Sequence, residues 1–167
     1  MNIDVKIQVI DPSTFAARGC QIPKYHSDGA SGIDLYACIP FPIRIDWGDR
    51  TLINTGLKME IPPGYEGQIR SRSGAALNGI VVANAPGTID SDYRGEIRVL
   101  ITNIARPEFQ EETNFDGWIR PGLRFAQLVF APVARANLLI AHLTPTVRGE
   151  GGFGSTGGMG LDGGCCP

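Results

Sequence analysis

An all-β domain, built as a barrel or a sandwich, is the architecture this sequence predicts. Short apolar runs recur at close spacing along the chain. Tight-turn dipeptides separate them, at Pro63-Gly64, Asn78-Gly79, Pro86-Gly87 and Pro121-Gly122. No window sustains a helical period beyond one turn near 74–77.

The elements follow in order. Ile3, Val5, Ile7 and Val9 alternate, which is the period of a half-buried strand. Further strands are expected in 33–39, 52–61, 65–71, 80–83, 96–104, 125–133 and 136–143. The polar, acidic stretch 106–117 reads as a long hairpin loop, either solvated or a partner contact. No repeat or second domain is visible, and 167 residues suffice for one core.

Composition narrows the function classes. With 43% hydrophobic and 19% charged residues the chain is globular rather than disordered. A net charge of −2 argues against broad binding to nucleic acid or anionic membranes, so basic residues must act locally, in a pocket. No run approaches the ~20 apolar residues of a membrane span. The alternating start MNIDVKIQVI lacks the apolar centre of a signal peptide. A soluble, cytoplasmic or otherwise intracellular protein is expected. Cys20, Cys38, Cys165 and Cys166 show no metal-ligand spacing and read as free thiols of a reducing compartment. Two histidines, His26 and His142, supply neither a zinc site nor a His-based triad well.

Five stretches carry chemistry. In GTIDSDYRGEI (87–97), Asp90 follows Ile89 in an apolar arm, which aims one carboxylate into the fold. A desolvated carboxylate beside a phosphate can take a proton from water. The ring of Tyr93 can pack on a sugar or base, although an Asp- and Gly-rich turn also explains the stretch. RSRSGAAL (70–77) offers a guanidinium fork, a hydroxyl and open N–H groups, which suit phosphate oxygens. In GLRFAQLVF (122–130), strict alternation puts Gln127 with Phe125 and Val129, among apolar neighbours. Such an amide needs partners from the core or from a ligand. In SDGASGIDLYA (27–37), Asp34 stands in an apolar run and must be bonded to turn amides, paired, or hydrated near a metal. RGEGGFGSTGG (148–158) matches a dinucleotide fingerprint and nearly a P-loop as bare strings. Both motifs require a following helix, which the glycine-rich end cannot form. What is left is Arg148, a pliant backbone, Phe153 and Gly-Ser-Thr, a set able to wrap a triphosphate and lay a ring on a base.

Taken together, SGIDLYA, RSRSGAA, GTIDSDYRGEI, GLRFAQL and RGEGGFGSTG resemble, in order, the five motifs of the trimeric dUTPase family. Three departures are Ser71 and Ala75 in the second motif and Phe125 in the fourth, all of which leave the polar groups in place. The resemblance implies a distorted, jelly-roll-like β-barrel over 1–147 and a flexible arm over 148–167. It further implies a homotrimer with active sites at subunit interfaces. Its activity is hydrolysis of dUTP to dUMP and pyrophosphate with Mg²⁺, which keeps uracil out of DNA and supplies dUMP for thymidylate synthesis. Residue by residue, Asp90 resembles the general base that orients water against the α-phosphorus. Asn84 with the Gly87, Thr88 and Ile89 backbone resembles the uracil-reading hairpin, and Tyr93 the ring that stacks under the deoxyribose and leaves no room for a 2′-OH. Arg72, Ser73, Gly74 and Gln127 resemble the phosphate cradle. Arg148, Phe153, Gly154, Ser155 and Thr156 resemble the closing arm. Asp34 resembles the acid that holds a Mg²⁺-bound water, the ion itself being carried mainly by substrate phosphates. Two other readings are a dCTP deaminase, which shares the fold but not this Asp-Ser-Asp-Tyr hairpin, and a nucleotide-sensing protein whose output is partner binding.

Overall fold

Residues 2–106 and 116–152 are described in a computed structural model of the chain. Among them every strand pairing is antiparallel. The strands are β1 (Lys6–Val9), β2 (Ile33–Tyr36), β3 (Ile43–Arg44), β4 (Arg50–Asn54), β5 (Leu57–Glu60), β6 (Tyr65–Ser71), β7 (Ile80–Val82), β8 (Gly87–Ile89), β9 (Arg98–Asn103), β10 (Trp118–Ile119) and β11 (Arg124–Pro132). They make a four-stranded sheet β2-β11-β6-β8, a three-stranded sheet β4-β9-β7, and the pairs β1-β5 and β10-β3. The expected all-β class is therefore observed. No helix among the described residues is long and apolar enough to cross a membrane.

Two compact units divide the chain, Met1–Ala134 and Arg135–Pro167. The first holds a continuous core that includes Leu35, Ile45, Ile53, Leu57, Ile97, Ile101, Phe125 and Leu128. Two polar side chains lie wholly inside it with their partners in place. Thr55 Oγ1 donates to Ile97 O at 2.6 Å, and Asn103 Nδ2 donates to Ile45 O at 2.9 Å. Cys20 and Cys38 are buried and free. Burial, and next the adjacent Cys38, push the Cys20 thiol up to about 12, so it stays protonated and unreactive.

Several sequence expectations change. The run 52–61 is two strands, because the chain turns at Gly56 with φ of 70°. A Cβ there would also come within 2.8 Å of Cys38 Sγ. A helix that periodicity missed, α1 (Pro12–Ala17), starts at Asp11, whose carboxylate accepts from the Ser13 and Thr14 N–H groups. An acidic N-cap followed by proline is a start signal that does not depend on period. The single turn expected near 74–77 is α2 (Ser73–Leu77). The run 136–143 forms no strand, and Leu138, Leu139, Ile140 and Leu143 are exposed. It has the composition of a strand but no ladder among the described residues. The tip of the 106–117 loop lies outside the described residues.

Candidate active site

The polar groups of the first unit gather around Asp34. This residue sits in β2, where all four side chains are buried, and is 8% exposed. A carboxylate so placed requires charged or hydrogen-bonding partners. Three side chains supply them. Arg72 Nε lies 2.8 Å from Oδ1, while Arg124 Nη1 and His26 Nε2 lie 3.2 Å and 3.4 Å from Oδ2. Arg72 also donates to Arg124 O at 3.1 Å, which ties the two arginines together. Arg72 and Arg124 come from distant segments and His26 from just before the preceding turn, and all three reach Asp34 with side chains.

Gln127 joins the same cluster. The pairing of β11 with β2 shifts register between Arg124 and Ala126, and this irregularity breaks the strict alternation. Phe125, Ala126 and Leu128 are all buried, and Gln127 is left half-buried. Gln127 shares its side of the strand with Val129, as alternation expects, both lying against Gly32, but that side is half-buried and buried Phe125 departs from it. Its Nε2 donates to Ser71 O at 2.9 Å, and its Oε1 lies where a Cβ on residue 32 would approach to 2.7 Å. Gly32 is what lets β11 come this close. His26, Asp34, Arg72, Ser73, Arg124 and Gln127 line a cavity of about 520 Å³. Arg72 is the N-cap of α2 but does not cap it with its side chain, so the first N–H groups of that turn are open to an acceptor near Ser73 and Gly74.

The second group of predicted residues lies elsewhere. Among the described residues β8 is an edge strand, paired only with β6, which leaves one side of its backbone outside the ladder. Gly87 and Ile89 face inward, whereas Thr88 and the following Asp90 are exposed. The expectation that Asp90 points into the fold is corrected, since alternation from buried Ile89 turns it outward. Asn84 packs its amide against Gly87, 3.3 Å from where a Cβ would stand. Tyr93 is 39% exposed and shares the Asp90 turn through its N–H to Asp90 O at 3.1 Å.

Strand register keeps the two groups apart. Ile89 pairs with Gly67, so Asp90 faces the level of Glu66, while Ser73 stands beyond the other end of β6. At about 3.3 Å per residue the separation is roughly 20 Å. One chain does not bring Asp90 and Tyr93 to the Asp34 cavity. In the C-terminal unit Arg148 is exposed and donates from Nε to Gly151 O at 2.8 Å. Phe153, Gly154, Ser155 and Thr156 fall outside the described residues.

Two members of the cluster, His26 and Arg124, are absent from the sequence-derived set. Arg124 is separated from Asp34 by 90 positions, and only the β2–β11 pairing shows that they meet. No local signal marks His26.

A Mg²⁺ ion fits this cavity only in company with an anion. No group of three His, Cys, Asp or Glu side chains gathers among the described residues. Asp34 faces Arg72, Arg124 and His26 and keeps acceptor capacity for a metal-bound water. That donor set suits an ion held chiefly by phosphate oxygens.

Known proteins resemble this chain along most of its length. The dUTPase family model matches residues 18–157. Deoxyuridine 5'-triphosphate nucleotidohydrolase of Chlamydia pneumoniae is 50% identical over 142 residues, covering 83% of this chain and 92% of that one. The protein of the same name from Rhizobium meliloti (strain 1021) is 48% identical over 143 residues, with 83% and 84% covered. Among solved structures, a variant of the Staphylococcus bacteriophage 80alpha dUTPase with dUpNHpp superposes with a TM-score of 0.75 at 23% identity, covering 93% of this chain and 99% of that one. A variant dUTPase from phage phi11 of S. aureus, described with a structural Mg(II) ion, gives 0.68 at 20% identity, covering 84% and 98%. At these identities the two structures speak to the fold.

Proposed function

The chain belongs to the dUTPase family and is a dUTP diphosphatase, and from that premise we propose a mechanism shared between copies of the chain. The observation that carries it is the cavity around Asp34, where two guanidinium forks, a hydroxyl and an amide converge in a chain of otherwise negative charge. Arg72, Ser73, Gly74, Arg124 and Gln127 bind the triphosphate, and Asp34 holds both arginines in place. When bound with the substrate, Mg²⁺ supplies charge neutralisation on the phosphate oxygens.

Asp90 accepts a proton from the water that attacks the α-phosphorus in line, and pyrophosphate leaves from the far side. Asn84 and the outer edge of Gly87–Ile89 read uracil; cytosine would leave these groups unpaired. Tyr93 lies against the deoxyribose. Arg148, Phe153, Gly154, Ser155 and Thr156 close over the ligand. Because the hairpin and the cavity sit about 20 Å apart in one chain, each complete site draws them from different copies. A homotrimer of distorted jelly-roll barrels, acting inside the cell and supplying dUMP, satisfies this requirement.

Pyrophosphate release from dUTP, dTTP, dCTP and UTP with Mg²⁺ tests the reading. Turnover confined to dUTP is expected. Equal rates on dUTP and dTTP, or ammonia release from dCTP, would overturn it.

A further inference from the structure

The Tyr93 ring is held from below, and its support is local. Its Oη donates to Glu96 O at 3.0 Å, so the ring folds back over the next residues of its own turn. Gly95 lies directly beneath the hydroxyl end. A Cβ on Gly95 would stand 2.3 Å from Tyr93 Oη, 2.5 Å from Cζ and 2.9 Å from Cε2. No side chain fits there with the ring in place. Gly95 is not among the positive-φ glycines, so steric room, not backbone conformation, is what it provides.

The support is itself anchored. Glu96 Oε1 accepts the Gly56 N–H at 2.8 Å, and Ile97 N donates to Leu57 O at 2.8 Å. Ile97 is fully buried, so the carbonyl under Tyr93 hangs from the core. Arg94 closes the other side of the turn by donating to Ser91 O at 2.7 Å and Tyr93 O at 2.9 Å. One face of the ring is thus seated while 39% of the residue stays open to a ligand.

We propose that Gly95 and Glu96 are positioning residues for Tyr93, and that the exclusion of a 2′-OH which the resemblance already implies for that ring depends on this seat. The inference rests on Tyr93 facing the sugar, as argued above. A ring resting on Gly95 leaves space for a 2′-CH₂ and none for a 2′-OH. Raising or loosening the ring spoils the fit for the deoxy sugar and admits the hydroxyl.

The substitution Gly95→Ala tests this. To reach ordinary contact the ring must move by about 1 Å. A displacement of that size lowers kcat/KM for dUTP by on the order of 10²-fold. The dUTP-to-UTP ratio falls at least about tenfold, the range of steric discrimination in a tight pocket. In a Tyr93→Ala background Gly95→Ala should add no further loss, because the glycine acts only through the ring. Tyr93→Phe keeps the ring and frees it from Glu96 O. It reads the same seat if Gly95→Ala fails to fold, and should lower the ratio by a smaller factor.

The inference is overturned if Gly95→Ala lowers dUTP and UTP use by one common factor, or if its cost persists in full beside Tyr93→Ala. A Tyr93→Phe enzyme with the wild-type ratio also overturns it. Failure of the activity itself looks different: the wild-type enzyme would then show no preference for dUTP. In that event a crystal structure of Gly95→Ala with Tyr93 still bonded to Glu96 O refutes the seat, and a displaced ring supports it.

Discussion

Replacing Asp34 by Asn removes one charge from a site where three cationic or donor groups converge. Breaking an ion pair by removing one partner costs about 3–5 kcal/mol when both charges are buried. Here the carboxylate side chain is 12% exposed, but those of Arg72, Arg124 and His26 are 29%, 45% and 46% exposed. Water therefore recovers much of the loss, and the expected destabilisation is about 1–2 kcal/mol. With a urea slope of about 2 kcal/mol per molar, the midpoint should fall by about 0.5–1 M at fixed protein concentration. The two guanidinium groups also lose the anchor that aims them into the cavity. KM for dUTP should then rise about tenfold, equivalent to about 1.4 kcal/mol, with a smaller change in kcat. An unchanged urea midpoint, or a loss confined to kcat at constant KM, would refute the view that Asp34 acts by holding the arginines.

Three further outcomes follow from particular contacts. Gly32→Ala places a Cβ 2.7 Å from Gln127 Oε1, so it should raise KM for dUTP while leaving the circular dichroism spectrum unchanged; an unaltered KM would remove Gln127 from the cradle. Hydrogen bonds from Thr14 and then Ser13 hold Asp11 at about 2, below the usual 3.8. The stability this contributes is present above pH 4 and is lost as pH falls towards 2, so the Tm gap between wild type and Asp11→Ala should close across that window; a gap independent of pH would contradict the cap assignment. Truncation after Val147 should preserve the oligomer on size-exclusion chromatography and cut dUTP turnover by at least about tenfold; a full rate would make the glycine-rich arm dispensable.

Much of this was legible in the sequence because it is local. Short apolar runs between Pro-Gly and Asn-Gly breaks gave the strands, and the one-turn helix after Arg72 was visible in place. Apart from α1 and the direction of Asp90, what escaped was set by pairing between distant segments. The irregularity between Arg124 and Ala126 depends on how β11 meets β2, so strict alternation grouped Gln127 rightly with Val129 but wrongly with buried Phe125. Asp34 was marked as needing partners, yet Arg124 and His26 could not be named without the fold. Asp90 was misdirected for a local reason: its apolar neighbour Ile89 fills the inward position, which sends the carboxylate out. The segment 136–143 shows the limit from the other direction. Its residues suit a strand, but composition does not supply the neighbouring edge.

The central claim is that Asp90 and the Asp34 cavity meet only between copies, and mixing two defective chains tests it most directly. Asp90→Asn lacks the proton acceptor, and Arg72→Ala lacks part of the phosphate cradle; each alone should lose nearly all dUTP turnover. Unfolded together in equal amounts and reassembled, they should form hybrids in which roughly a quarter of the sites take an intact Asp90 from one copy and an intact Arg72 from another. Recovery to about a quarter of the wild-type rate is the predicted result. Mixed oligomers, shown by mass to have formed, that stay as inactive as their parents would contradict the account.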